Sequence, residues 1–371
     1  MKGFQEKTCI HLFENVKEFL GEFEIRGTDF ILASRGSYER YFSQYVKEGH
    51  VAYKSDYGRG EPTDVMMNQL IEDFEQTGCN RVIAIGGGAV LDMAKVLVLK
   101  KNGTVTELFR REVPVEKERE LIAIPTTCGS GSEVSGVSIL ELTEAKTKLG
   151  LVGEELYPEH AVLIPELLGS LSMEAFTASS IDALIHAMES YLSPRANVYT
   201  QMCSKEAIGM ILEGFQDIIE NGAEARSHRL SEFMIGSNLA GIAFANAGTG
   251  AVHALSYPLS GVYHVAHGEA NYQFLTEVFS KYNALEPKGE IQKLNRFLGQ
   301  ILRCSEGEIY SSLSRMLDTL MPKKKLSEYG MEREEIEQFS QIVEQTQQRL
   351  LNQSYVKFSI EQMKEIYENL F

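Results

Sequence analysis

Three of the chain's eight histidines, His253, His264 and His267, fall within fifteen residues, and a fourth, His186, stands four places after Asp182. Positions i and i+4 share one face of a helix, so Asp182 and His186 can converge on one point. Pro258 and Gly261 are expected to break the helix carrying His253, and Gly268 follows His267, so the segment should fold back and bring histidines from separate elements together. Imidazoles with one carboxylate suit a divalent transition metal such as iron, zinc or cobalt, unlike the all-oxygen sites of magnesium or calcium. Packing is the competing use: an isolated Asp/His pair is more often structural, and one of the three clustered histidines is expected to be a hydrogen-bonded core residue.

Two glycine-rich turns could hold a second ligand. Ile85-Gly-Gly-Gly-Ala-Val-Leu-Asp-Met-Ala-Lys95 places three glycines between a strand and a helix. Backbone without side chains can approach a bulky anion there, and the first free N–H groups of the helix can bind phosphate oxygens. The run is neither GxGxxG nor a P-loop, and a tight strand-to-helix turn explains it equally well. Thr126-Thr-Cys-Gly-Ser-Gly-Ser-Glu133 supplies a second such turn. Both would lie at the carboxyl ends of parallel strands, where open α/β sheets bind ligands, and together they favour a dinucleotide. The alternative use of their hydroxyls is turn capping.

The elements that must position these groups are legible from periodicity. Short apolar runs at 29–33, 81–85, 120–125 and 161–165 read as strands, and 63–77 and 89–101 as helices. Strand, crossover and strand imply a mostly parallel sheet covered by helices. Past Pro165 the pattern turns helical throughout, over 173–193, 200–221, 228–247 and the amphipathic stretches from 290 onward. We therefore expect an α/β domain over 1–166 and an all-α domain over 167–371, with a ligand in the cleft between them.

Composition narrows the partners. The 371 residues are 43% hydrophobic and 24% charged, an ordinary globular mix. Lys+Arg 36 against Asp+Glu 52 gives a net charge of −16, which disfavours nucleic acid and anionic lipid. Five cysteines without a CxxC pair encode neither a disulfide framework nor a zinc ribbon, and no run reaches the length of a membrane span or a signal sequence. The expectation is a cytoplasmic chain that acts on a small molecule.

These residues resemble the iron-containing (group III) alcohol dehydrogenases. Gly86-Gly-Gly-Ala89 with Asp92 and Lys95 is similar to the family's GGGSxxDxAK turn, Thr126–Glu133 to TTxGTGSE, and Asp182–Glu189 to DAxxHAxE. His253-Ala-Leu-Ser-Tyr-Pro-Leu, followed by His267-Gly, is similar to HxxxHPLxxxxxxPHG. Four ordered motifs match over nearly the whole chain. The resemblance implies a Rossmann-like N-terminal domain, an all-helical C-terminal domain of the dehydroquinate synthase-like type, a nicotinamide cofactor and one divalent metal, iron(II) first and zinc second. A homodimer is also what the family suggests.

Carried over by position, the metal ligands fall on Asp182, His186, His253 and His267. The cofactor positions fall on Gly86, Gly87, Gly88, Ala89, Thr126, Thr127, Ser130, Ser132 and Lys148. The chain departs from the pattern at Ala89, which replaces a serine, at Ala266, which replaces a proline, and at Tyr257, where many members carry a histidine. A histidine proton relay is therefore not carried over. After the strand 29–33 the chain has Ser34-Arg35 where an acidic residue would bond the ribose 2′-hydroxyl, so NADP could be tolerated while NAD is the first choice.

Within the family, Gly60–Asp64, Gly248–Pro258 and Tyr263–Tyr272 look most like the branch that interconverts succinate semialdehyde and 4-hydroxybutyrate. A carboxylate substrate needs a receptor, because an unpaired buried anion is costly. His264 and Tyr257 are the residues expected to act on the substrate, with Tyr263 as a further hydroxyl donor; orienting a metal ligand is the competing role for His264. Two other readings stay open: the same chemistry on an uncharged primary alcohol or diol, and a lyase of the dehydroquinate synthase type.

Overall fold

The computed structural model describes residues 3–144 and 147–371. The chain divides into two compact units, Glu6–Leu171 and Ser172–Phe371, the second joined by a few N-terminal residues.

In the first unit, the strands β1 (Cys9–Leu12), β2 (Asp29–Ala33), β3 (His50–Tyr53), β4 (Arg81–Gly86), β5 (Glu120–Pro125) and β8 (His160–Leu163) form one sheet in the order β1-β8-β5-β4-β2-β3. Every pairing in it is parallel. The central strands are continuous apolar runs because both faces are covered. Phe30, Leu32, Val82, Ala84, Leu121 and Ala123 pack on one face, and Ile31, Ala33, Ile83, Ile85, Ile122 and Ile124 on the other. The edge strands β1 and β3 lack such a run, and periodicity did not reveal them. An antiparallel pair, β6 (Val137–Leu142) and β7 (Thr147–Val152), also escaped the sequence reading.

Local chemistry sets the helix boundaries. The helix Asp64–Thr77 starts where the Thr63 hydroxyl accepts from Met66 N–H, and it ends at Gly78 in the left-handed conformation. The glycine-turn helix spans Gly88–Leu97, shorter than the expected 89–101. It stops where Val98 and Leu99 close the last turn and the chain leaves it to bridge Lys117.

The second unit is helical throughout its described residues, as its periodicity implied. Met173–Leu192 is buried along most of its length and packs against Val198–Asn221, Leu230–Ala247 and His267–Leu285. One expectation fails here. Pro258 and Gly261 do not break the helix after His253, which runs Ala251–Val262 with the proline inside it. Proline removes one N–H bond, and the burial of Leu255 and Leu259 on either side of it offsets that loss. The reversal falls later, where His264 adopts a left-handed φ of 54° and the next helix begins at His267. No helix among the described residues is long and apolar enough to cross a membrane.

Candidate active site

Register brings the two glycine turns together. Ala33 pairs with Ile85, Ile85 with Ile124, and Gly86 with Pro125, so β2, β4 and β5 end side by side. The turns are then tied by Ser34 N–H donating to the Ile85 carbonyl (2.8 Å) and Thr126 N–H to the Gly86 carbonyl (3.0 Å). A Cβ on Gly87 would stand 3.1 Å from the Thr127 side chain, and one on Gly88 3.0 Å from that of Ser130. Bare backbone at these positions is what lets the turns close on each other. Ser34, Gly86–Ala89, Thr126, Thr127 and Ser130 thus gather at one end of the sheet. Lys148 is not brought to them by any described contact; it lies half-buried on β7 opposite Glu141.

Ser132 has a different partner set. Its hydroxyl donates to Asp92 Oδ1 (2.6 Å) and accepts from Lys95 Nζ (2.7 Å), which also donates to Ser135 Oγ and the Val137 carbonyl. Asp92 Oδ2 accepts from Ile139 N–H. The pair Asp92 and Lys95 therefore staples the glycine-turn helix to the second turn and to β6. Burial pushes the Asp92 carboxyl up and the Lys95 amine down to about 8, opposed by the attraction between them.

In the helical unit, Asp182, His186 and Glu189 occupy i, i+4 and i+7 of Met173–Leu192 and share a face. His253 comes from Ala251–Val262, and His267 is the first residue of His267–Leu285. Gly268 permits that approach: a Cβ there would stand 2.3 Å from the Ala178 carbonyl oxygen and 3.3 Å from Asp182 Cβ. The ligand atoms of Asp182, His186, His253 and His267 all lie within 4.8 Å of one another. Asp182 Oδ1 is 3.9 Å from both His253 Nε2 and His267 Nε2, and Oδ2 is 4.0 Å from His186 Nδ1. Atoms bonded at ~2.1 Å in a tetrahedron sit roughly 3.4 Å apart, so a small contraction would complete a metal site.

Two neighbours orient this quartet. Glu189 Oε2 holds His253 Nδ1 at 2.6 Å while Oε1 accepts from Val252 N–H at 2.7 Å. The Asn271 amide reaches Asp182 Oδ1 (2.7 Å) and His267 Nε2 (3.1 Å), and Ser256 Oγ bonds Asn271 Oδ1. Burial pushes the Asp182 carboxyl up, but the three imidazoles and the Asn271 amide outweigh it and hold it below the usual carboxylate range. His253 Nε2 is buried with no hydrogen-bond partner. Such an atom costs about 1–3 kcal/mol when left unsatisfied, and a cation in the quartet would satisfy it. The residues present fit a divalent transition metal.

Two residues that orient the quartet, Glu189 and Asn271, are not singled out by the sequence motifs. The spacing of Glu189 from His186, and of Asn271 at i+4 from His267, was the available signal.

Of the residues expected to act on substrate, Tyr257 places its ring 6.3 Å from that of His267. His264 is exposed at the helix reversal. Tyr263 is unsuited to receive a carboxylate, because its hydroxyl is bound to the Glu335 carboxylate.

Both halves match family models: residues 10–165 that of iron-containing alcohol dehydrogenase, and 176–371 that of the C-terminal part of the Fe-containing alcohol dehydrogenase family. The chain belongs to the iron-containing alcohol dehydrogenase family. It is 47% identical over 371 residues, all of both chains, to the 4-hydroxybutyrate dehydrogenase of Clostridium kluyveri. It is 32% identical over 299 residues to long-chain-alcohol dehydrogenase 1 of Geobacillus thermodenitrificans, covering 78% of this chain and 74% of that one. The fold matches the crystal structure of sulfoacetaldehyde reductase from Bifidobacterium kashiwanohense in complex with NAD+, with a TM-score of 0.86, 20% identity, and coverage of 100% and 98%.

Proposed function

We propose that this chain is a metal-dependent, NAD-linked dehydrogenase that interconverts succinate semialdehyde and 4-hydroxybutyrate. The observation that carries the reading is the buried quartet of Asp182, His186, His253 and His267 in a chain 47% identical, end to end, to a 4-hydroxybutyrate dehydrogenase. The quartet would hold one divalent cation, iron(II) foremost, and the bound cation would polarise an aldehyde oxygen and stabilise the corresponding alkoxide. Glu189 fixes the His253 ring with Nε2 turned inward, and Asn271 holds Asp182 by donating to its Oδ1, while a cation on His267 Nε2 would replace the Asn271 contact there.

The paired glycine turns hold the pyrophosphate of the dinucleotide: the N–H groups at the start of Gly88–Leu97 donate, and Thr127 and Ser130 line the approach. Ser132 supports this turn through Asp92 and Lys95. Lys148 remains a candidate cofactor contact on β7. NAD is preferred over NADP because the Arg35 guanidinium is already taken by Asp56 Oδ1 (2.6 Å) and Glu39 (3.5 Å) while lying over the Tyr53 ring. A 2′-phosphate would meet two carboxylates beside one guanidinium.

His264 and Tyr257 receive the substrate carboxylate in this reading. The enzyme works as a homodimer in the cytoplasm, in line with its family and with five cysteines that form no disulfide. The test is NADH consumption on addition of succinate semialdehyde. Activity should vanish with a strong chelator and return with iron(II); a chain that never consumes NADH with this aldehyde would refute the reading.

A further inference from the structure

A second cluster of metal-binding side chains lies on the sheet of the first unit. Cys9 and His11 sit two residues apart on edge strand β1 and so face the same side, and His160, paired with Cys9 in register, faces that side from β8. His11 Nε2 and His160 Nδ1 are hydrogen-bonded at 3.0 Å, and one nitrogen of each ring and the Cys9 sulfur all lie within 4.8 Å of one another. For bonds of ~2.05 Å to nitrogen and ~2.3 Å to sulfur, a tetrahedral ion needs N···N near 3.4 Å and N···S near 3.6 Å. The nitrogen pair is close to this spacing, and a bound ion would take the place of the proton the two rings share.

The surroundings favour ligation over a plain imidazole–imidazole hydrogen bond. Phe23 packs edge-on against both imidazoles, with ring centroids 5.0 and 5.3 Å away, and fixes their planes. The second nitrogen of His160 lies 3.7 Å from Glu120 Oε1, a short side-chain rotation away from the carboxylate–imidazole hydrogen bond that orients metal-bound histidines. The Cys9 thiol is exposed, so an ion can enter from solvent.

We propose that Cys9 Sγ, His11 Nε2 and His160 Nδ1 form a second metal site that takes a borderline-soft divalent transition cation, zinc foremost, with solvent as the fourth ligand. One thiolate and two imidazoles select such an ion over magnesium or calcium. Because its ligands come from two strands, the ion clips the edge strand β1 to β8. This inference is independent of the proposed reaction.

Cobalt(II) tests it. The chain, stripped of metal and kept reduced, is titrated with Co2+ in wild-type, Cys9→Ser and His186→Ala forms. Only the Cys9 site contains sulfur, so only it can give the near-ultraviolet thiolate-to-cobalt charge-transfer band. The proposal expects two cobalt ions per wild-type chain with that band. Cys9→Ser should lose the band and one ion while keeping turnover within about twofold, and His186→Ala should keep the band. Zinc should displace the cobalt behind the band, since zinc binds such ligands more tightly. Absence of the band in wild type, its survival in Cys9→Ser, or its loss in His186→Ala overturns the site and leaves the imidazole pair as packing. A band that zinc cannot displace overturns the choice of ion.

Discussion

Glu189 Oε2 lies 2.6 Å from His253 Nδ1, and this contact decides which nitrogen of the ring faces Asp182. The same carboxylate accepts from Val252 N–H, so one acidic side chain sets both the tautomer of the imidazole and the position of the helix that carries it.

Replacing Glu189 with Gln leaves one acceptor oxygen for two donors. Metal affinity, measured by chelator competition on the folded variant, should fall about 10–100-fold, the usual scale for a lost partner of a ligating histidine. Unchanged affinity would reduce Glu189 to a packing role.

Much of this site was legible in the sequence because its spacing is local. Asp182 to His186 is one helical turn, and the three glycines at 86–88 sit between a buried strand and an amphipathic helix. What was not legible depends on tertiary contact. Pro258 reads as a breaker by its own chemistry, yet the helix continues because residues on both sides of it are buried. The part of Ser132 was hidden because its hydroxyl is claimed by Asp92 and Lys95, 40 and 37 residues away in sequence. The partners of Arg35 are equally non-local: Asp56 comes from 21 residues away and pairs with it at 2.6 Å beside Glu39.

Lys95 is fully buried and its amine is held down to about 8 by that burial, below the ~10.4 of an unfolded lysine. Between these values the unfolded chain binds more protons than the folded one, so the contribution of this group to stability rises with pH across the window. Lys95→Met removes that rise and strands Asp92, at a cost of about 3–5 kcal/mol. Denaturant melts at pH 7 and pH 9.5 should show the gap between wild type and variant widening, by at most ~1.4 kcal/mol per pH unit from the lysine. A gap that narrows would contradict the assigned direction.

Freeing Arg35 should change the choice of nucleotide. With Asp56→Asn the guanidinium loses its 2.6 Å partner and can meet a 2′-phosphate. The ratio of kcat/KM for NADPH over NADH should rise about tenfold or more, roughly 1.4 kcal/mol. A ratio that stays put places the adenosine ribose elsewhere.

His264 is assigned to the substrate carboxylate, and His264→Asn separates that role from support of the metal. Activity on succinate semialdehyde should drop by roughly 1–3 kcal/mol in transition-state stabilisation, with little loss toward butanal and none in metal content. Equal losses on both aldehydes, or a fall in metal content, would move acid recognition to other residues.

A site that recognises the carboxylate of its aldehyde must distinguish two substrates that differ only in that group. Succinate semialdehyde and butanal have the same chain length and differ in that one group, so their kcat/KM values, measured side by side with NADH, test it most directly. Succinate semialdehyde should be preferred by about a hundredfold, near 2.7 kcal/mol, the scale of one or two charged hydrogen bonds. Butanal reduced as well as or better than succinate semialdehyde would contradict it and make the chain a dehydrogenase of uncharged alcohols.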